Sequence, residues 1–315
     1  MSATIAVCPP PVTGAPVESR SAPSATTAGV IAVLVAFVGL SLGSTMAKSA
    51  GSPGPVVAFW RFLIGAVLWH MFIAIRGART GSPRAVGAKA WQAATLTGIA
   101  FGVNLSCFFS GVTRTPIAHA EFISALTPLI LIPLAAFTLK ERVPRHVVVC
   151  GAGALTGVAL ILSQAPAKGT SYFGDFLVAC SMVAWIVYLM TAKSARERLT
   201  TAHFMAVMST AACITTLPIA LITAGGPGEL VDLSARGWFV VALLAVTAGV
   251  VSHGLIAWAQ QRVPMGTISM LQLGQPGLGV LWAATFLGES VQPIQLGGMA
   301  IVLSAVGTIA WRSTR

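Results

Sequence analysis

Ten stretches of about 20 residues run through this chain with almost no charge, and their length decides what it can fold into. At about 1.5 Å of rise per residue, a helix of that size crosses the roughly 30 Å hydrocarbon core of a bilayer. The stretches fall at 28–48, 55–75, 91–112, 116–138, 146–163, 173–192, 203–223, 237–260, 265–287 and 293–311, numbered below as spans one to ten. In hydrocarbon each backbone polar group must be satisfied within the segment, so uncharged runs of this length fold as helices. Only 9% of residues are charged, against about 25% in a soluble domain. The expected fold class is all-α integral membrane, with ten transmembrane helices.

The net charge of +11 raises the question of nucleic acid, and its distribution answers it. With the N-terminus on the cytoplasmic side, fourteen basic residues fall in inside segments, whereas Lys48, Arg114, Lys168 and Arg236 make four outside. Arg61 lies within a span. That asymmetry is the positive-inside bias, so both termini are expected in the cytoplasm and the basic charge faces anionic lipid, with no nucleic-acid partner. Residues 1–27 have no basic region ahead of an apolar stretch; they read as a disordered cytoplasmic tail and not as a cleaved signal. The cysteines Cys8, Cys107, Cys150, Cys180 and Cys213 contain no C-x-x-C, which points to neither a metal site nor a disulfide framework.

The chain repeats itself. A shift of 145 residues lays Gly29 on Gly174, Val33 on Val178, and the sequence AKSA at 47–50 on AKSA at 192–195. A shift of 148 lays Arg114, Pro116, Pro128 and Glu141 on Arg262, Pro264, Pro276 and Glu289. Five spans per copy is an odd number, so the second copy enters the membrane from the opposite side. The expected organisation is a first five-helix repeat at 28–163, an outer linker at 164–172 and a second repeat at 173–312. Inverted repeats of this kind are a signature of secondary transporters, with the substrate held near the midplane at the repeat interface. Exchanging the conformations of the halves turns an inward-open form into an outward-open one, which gives alternating access by rocking of the two halves.

The stretches GPVVAFWRFLIGA, RTPIAHAEFISALTPLILIPLAAFTLKERV, its echo RVPMGTISMLQLGQPGLGVLWAATFLGESV, and FGDFLVACSMVAWIVYLMTAKSA resemble the drug/metabolite transporter superfamily, in its ten-helix EamA-type branch. The doubled Pro-x12-Glu pattern and the Gly-Asp before span six carry that resemblance most specifically. It implies an exporter or exchanger of small metabolites, with a central cavity between the halves. The expected location is the cell inner (plasma) membrane, and no cofactor is expected.

Candidate cavity residues follow from the mid-span prolines. Pro128 and Pro276 free the carbonyls of Ser124 and Gln272, and such carbonyls need protein or a wet cavity beside them. Ser124 and Gln272 extend that polar face, with Gln275 alongside; helix–helix gluing by the same residues is the competing reading. Trp185 and Tyr188 share a face of span six with Ser181. Asn104 and Ser252 are equivalent under the 148 shift; a packed hydrogen-bonding role within the bundle is the commoner one for such residues. Glu121, Arg61 and His253 are the ion-coupling or gating candidates. Intramembrane charge is expensive and often functional, yet Glu121 also suits a helix N-terminus near the outer surface. Arg61, matched by Ala206 in the second copy, either pairs Glu121 or a substrate carboxylate, or snorkels to the outer interface. Glu141 and Glu289, closing spans four and nine, read as capping or gate-closing residues. Gly98, Gly102, Gly153 and Gly157 have small-x3-small spacing and read as helix packing.

The five histidines, His70, His119, His146, His203 and His253, are scattered, with no H-E-x-x-H and no paired acids, which argues against an integral-membrane enzyme. No Walker-A loop is present for ATP-driven pumping by this chain. A secondary exporter of amino acids or related amphipathic solutes is the expected function, with proton-coupled efflux of lipophilic or cationic drugs as the alternative within transport. The expected partners are a small-molecule substrate and the lipid bilayer; a homodimer is left open.

Overall fold

A computed structural model describes residues 22–81, 85–140, 143–163, 171–287 and 291–313. Residues 1–21, the linker segment 164–170, Glu141 and Glu289 lie outside the described residues. Helices Gly54–Thr80, Ala88–Val112, Arg145–Leu162, Tyr172–Arg196, Thr201–Ala224 and Pro293–Ser313 form spans two, three, five, six, seven and ten. Span one is Ala22–Ser41 followed by Gly43–Ser49, and so begins inside the segment expected to be a tail. Pro23 sits in the first turn, where its missing N–H is harmless, and nothing before Gly29 stops the helix.

Three further spans are broken. Span four divides into Ile117–Ala125 and Thr127–Thr138, and span eight into Ala235–Leu244, a π-helical segment Ala245–Ser252 and His253–Ala259. Span nine runs as Met265–Leu271, a 3₁₀ turn Gln272–Gly274 and Gln275–Leu287. Among the described residues nine helical stretches are long and apolar enough to cross a membrane; the tenth predicted span, 265–287, is helical in three consecutive pieces. Large apolar side chains such as Phe137, Ile222 and Phe239 point outward, as a lipid-facing surface requires.

The repeat is visible in local geometry. Pro116 and Pro264 open spans four and nine with the same extended backbone, ψ 140° and 145°, spending proline where no helical donor is lost. Arg114 Nη1 donates to the Ser110 carbonyl at 2.7 Å, and Arg262 Nη1 donates to the Trp258 carbonyl at 2.7 Å. Gly174 lies against Arg114 and Thr115, as Gly29 lies against Arg262 and Val263. Ser171 Oγ accepts from the Gly174 N–H, and Thr115 Oγ1 donates to Asp175 at 2.6 Å. These bonds give the Gly-Asp pair at the start of span six its structural role.

The close contacts join one repeat to the other. Span three packs against six and seven, two against seven, and five against ten. A Cβ at Gly98 would stand 2.6 Å from the Met208 carbonyl, and one at Gly157 would stand 2.8 Å from that of Gly298. Gly102 approaches span seven in the same way, whereas Gly153 faces open space and is not a packing glycine. Spans three, four and six form one bundle, and their symmetry mates eight, nine and one form the other. Each bundle therefore mixes both repeats.

Candidate functional site

Between these mixed bundles lies a cavity walled by spans one, two, three, four, six, eight and nine. Span one contributes Leu40, Gly43 and Ser44; span three Phe101, Asn104, Leu105, Phe108 and Phe109; span four Glu121, Ser124, Ala125 and Thr127. Span six adds Ser181, Met182 and Trp185, span eight Ala248 and His253, and span nine Gln272, Gln275 and Pro276. Arg61 enters from span two.

The broken helices shape this wall. Pro128 has no N–H for the Ser124 carbonyl, and Thr127 Oγ1 supplies the missing donor at 2.7 Å. In span nine the carbonyl freed by Pro276 is that of Gln272, and it accepts from the Gln275 N–H through the 3₁₀ turn. One duplicated proline thus has two different local solutions. Across the cavity Trp185 Nε1 donates to Gln272 Oε1 at 3.1 Å, joining the two bundles. Asn104 Nδ2 donates to the carbonyl and hydroxyl of Ser181 at 2.9 and 2.8 Å. Trp185 stacks on Tyr188 at 4.8 Å, Tyr188 on Phe101 at 4.7 Å, and His253 meets Phe101 at 4.5 Å.

Two charged side chains line the cavity. Glu121 is only 8% exposed and accepts from Ser44 Oγ at 3.0 Å. Arg61 is 3% exposed, with its Nε and Nη2 lacking any hydrogen-bond partner. Its guanidinium lies 5.8 Å from the ring centres of both Phe62 and Phe101, a cation–π contact that offsets part of the desolvation. Beside it the π-helical segment presents Gly249, where an added Cβ would come within 3.5 Å of Arg61 Nε. No ion pair joins Arg61 to Glu121.

Of the residues singled out in sequence, Ser124, Trp185, Gln272, Gln275, Pro276, Asn104, Glu121, Arg61 and His253 line the cavity. Three do not. Pro128 is buried at the helix break, where Thr127 takes its place on the wall. Tyr188 is fully buried behind Trp185, its Oη 3.4 Å from His253 Nδ1. Ser252 is covered by span one at Gly39. The snorkelling alternative for Arg61 is also corrected, since its head is enclosed among Phe62, Phe101 and Gly249. Sequence reasoning missed the aromatic wall of span three, although Phe101, Asn104, Leu105 and Phe108 recur at i, i+3, i+4, i+7, the spacing of one helical face. Ser44 and Thr127 had no such signal.

Ten helical spans in two inverted, interlocked repeats around one shared cavity define a multi-pass membrane protein with the architecture of a secondary transporter. The chain belongs to the EamA-like transporter family, whose sequence profile matches residues 27–163 and 172–311. It is 35% identical over 97 residues to a probable terminal-alkyne amino-acid exporter of Streptantibioticus cattleyicolor, covering 31% of this chain and 33% of that protein. It is 30% identical over 177 residues to the aromatic amino acid exporter YddG of Ancylobacter novellus, covering 51% and 58%. The matches to these two relatives thus span from a third to less than two thirds of their length. A solved crystal structure superimposes with a TM-score of 0.71 over 93% of this chain and 99% of its own, at 19% identity, a likeness of fold.

Proposed function

We propose that the protein is a secondary, non-ATP exporter of small metabolites, amino acids or related amphipathic solutes, and that it works by alternating access. The observation that carries this reading is the cavity walled by the broken helices of both repeats, with spans four and nine packed against each other where they reach it. Broken helices at midplane put backbone carbonyls and helix ends beside a solute, as transporters of this architecture do. The relatives named for amino-acid export support the same cargo class. The bodies that rock are the mixed bundles of spans three, four and six and of eight, nine and one, not the repeats themselves.

Arg61 opposes a cationic-drug cargo, because its charge would repel such a solute inside a low-dielectric cavity. Catalysis has no part in this reading. The protein is read as sitting in the inner (plasma) membrane with both termini cytoplasmic.

Counterflow in proteoliposomes tests the proposal. Vesicles loaded with unlabelled amino acids should accumulate the corresponding radiolabelled amino acid, and Gln272→Ala should reduce the rate. Absence of counterflow for every member of an amino-acid, nucleoside and sugar panel would remove the transport reading and reopen an enzyme or scaffold role. The driving force is read in the same vesicles: if Glu121 carries a coupled proton, Glu121→Gln abolishes the response to an imposed pH gradient. An unchanged response takes Glu121 out of energy coupling.

A further inference from the structure

Arg61 is a buried cation in the cavity lining whose desolvation the protein offsets only in part. A buried charge without a partner is strongly unfavourable, and two of its guanidinium nitrogens are enclosed with no acceptor. The rings of Phe62 and Phe101 offset only part of that penalty. A carboxylate is the group whose two oxygens match the parallel donors of a guanidinium.

Glu121 supplies the complementary half. Its carboxylate receives one hydrogen bond, from Ser44, which leaves further acceptor capacity in the same cavity. Neither group quenches the other, because no ion pair joins them. Each lies in the first repeat, and at Arg61 the twofold is broken: the shifted position in the second repeat is Ala206, which is buried. A solute held by both charges is therefore bound in one orientation, whatever symmetry the surrounding helices have. The remaining wall carries Phe101, Phe108, Phe109 and Trp185, flat apolar surfaces suited to an aromatic or bulky apolar side chain.

We propose that the cavity holds an α-amino acid as its zwitterion, the carboxylate on Arg61, the ammonium on Glu121 and an aromatic or large apolar side chain against the span-three and span-six rings. This deepens the export reading and rests on it for the cargo class.

The test is binding to the purified full chain in detergent by isothermal titration calorimetry, with L-phenylalanine, phenethylamine and 3-phenylpropanoate as probes. These share the ring and differ in the carboxylate and the ammonium. L-phenylalanine should bind at least tenfold more tightly than either half-ligand. Arg61→Gln should bring L-phenylalanine down to the level of phenethylamine, and Glu121→Gln should bring it down to the level of 3-phenylpropanoate. Arg61→Lys, which keeps the charge and loses the fork, should retain part of the preference. Either half-ligand binding the parent as tightly as L-phenylalanine, or no binding of L-phenylalanine and L-leucine alike, overturns the proposal. Counterflow on the same preparation separates the two readings. Counterflow of another metabolite without amino-acid binding sinks the clasp alone. Amino-acid binding without counterflow of any solute sinks transport alone.

Discussion

Trp185 makes the one side-chain hydrogen bond described between the cavity walls of spans six and nine, and it also stacks on Tyr188. The two contributions can be separated. Trp185→Phe keeps a ring and deletes the donor to Gln272, so solute binding should weaken by about two- to tenfold, the equivalent of a net hydrogen bond of about 0.5–1.5 kcal/mol. Trp185→Ala also removes the aromatic surface and should weaken it by more than tenfold. Titration of both variants with the same aromatic amino acid checks the order, and equal affinities would show that the stack contributes nothing. Trp185 and Gln272 were legible in sequence because one stood too deep for an interfacial belt and the other lay on a proline-marked stripe. Ser44 and Thr127 were not. A hydroxyl in an apolar helix is common, and only the fold shows that one meets Glu121 and the other a freed carbonyl.

At the scale of the element, the sequence located the weak points of spans four and nine but not their repair. Pro128 and Pro276 occupy equivalent positions, yet the first copy closes its open carbonyl with Thr127 and the second with a 3₁₀ turn. Thr127→Val should therefore lower the apparent melting temperature in detergent, by the loss of about 0.5–2 kcal/mol, and Thr127→Ser should restore it. A valine variant as stable as the parent would mean that another group serves the Ser124 carbonyl. Helix contacts give a sharper contrast. A Cβ on Gly298 would stand 2.6 Å from the Gly157 carbonyl and 3.0 Å from the Ile161 amide, both backbone atoms that cannot swing away. Gly298→Ala should separate spans five and ten and destabilise the protein by about 1–3 kcal/mol, an overpacking effect. Gly153→Ala, made into open space, should leave the melting temperature unchanged. The small-x3-small spacing in span five marked Gly153 and Gly157 alike, because spacing identifies a face and not the height at which a neighbour crosses it.

For the whole molecule, the ten spans, the inversion and the central cavity could all be read from length, charge and the two shifts. The partners could not: interlocking of the repeats depends on which faces meet, and that decides what moves. At the end predicted to face the cytoplasm, spans six and eight are latched by Lys193 Nζ donating to the Gln260 carbonyl at 2.6 Å and by Arg196 Nε donating to that of Ala257 at 2.8 Å. Gln261 Nε2 returns a bond to the Arg196 carbonyl. Toward the opposite end, the bundles are bridged by Ser44 on Glu121. If these bonds hold alternate doors, removing one should bias the molecule toward the side it guarded. Charge-assisted bonds contribute about 1.5–3 kcal/mol, and each 1.4 kcal/mol is tenfold in a two-state equilibrium. With a cysteine placed at Ser124 in a background without native cysteines, a membrane-impermeant maleimide reads the bias in oriented vesicles. Lys193→Met should raise labelling from the predicted cytoplasmic face by about tenfold and lower it from the other. Ser44→Ala, losing a bond between a hydroxyl and a carboxylate, should do the reverse by a smaller factor. Both variants moving labelling in the same direction would mean that the two contacts are ordinary packing, and that the doors of the cavity lie elsewhere in the bundle.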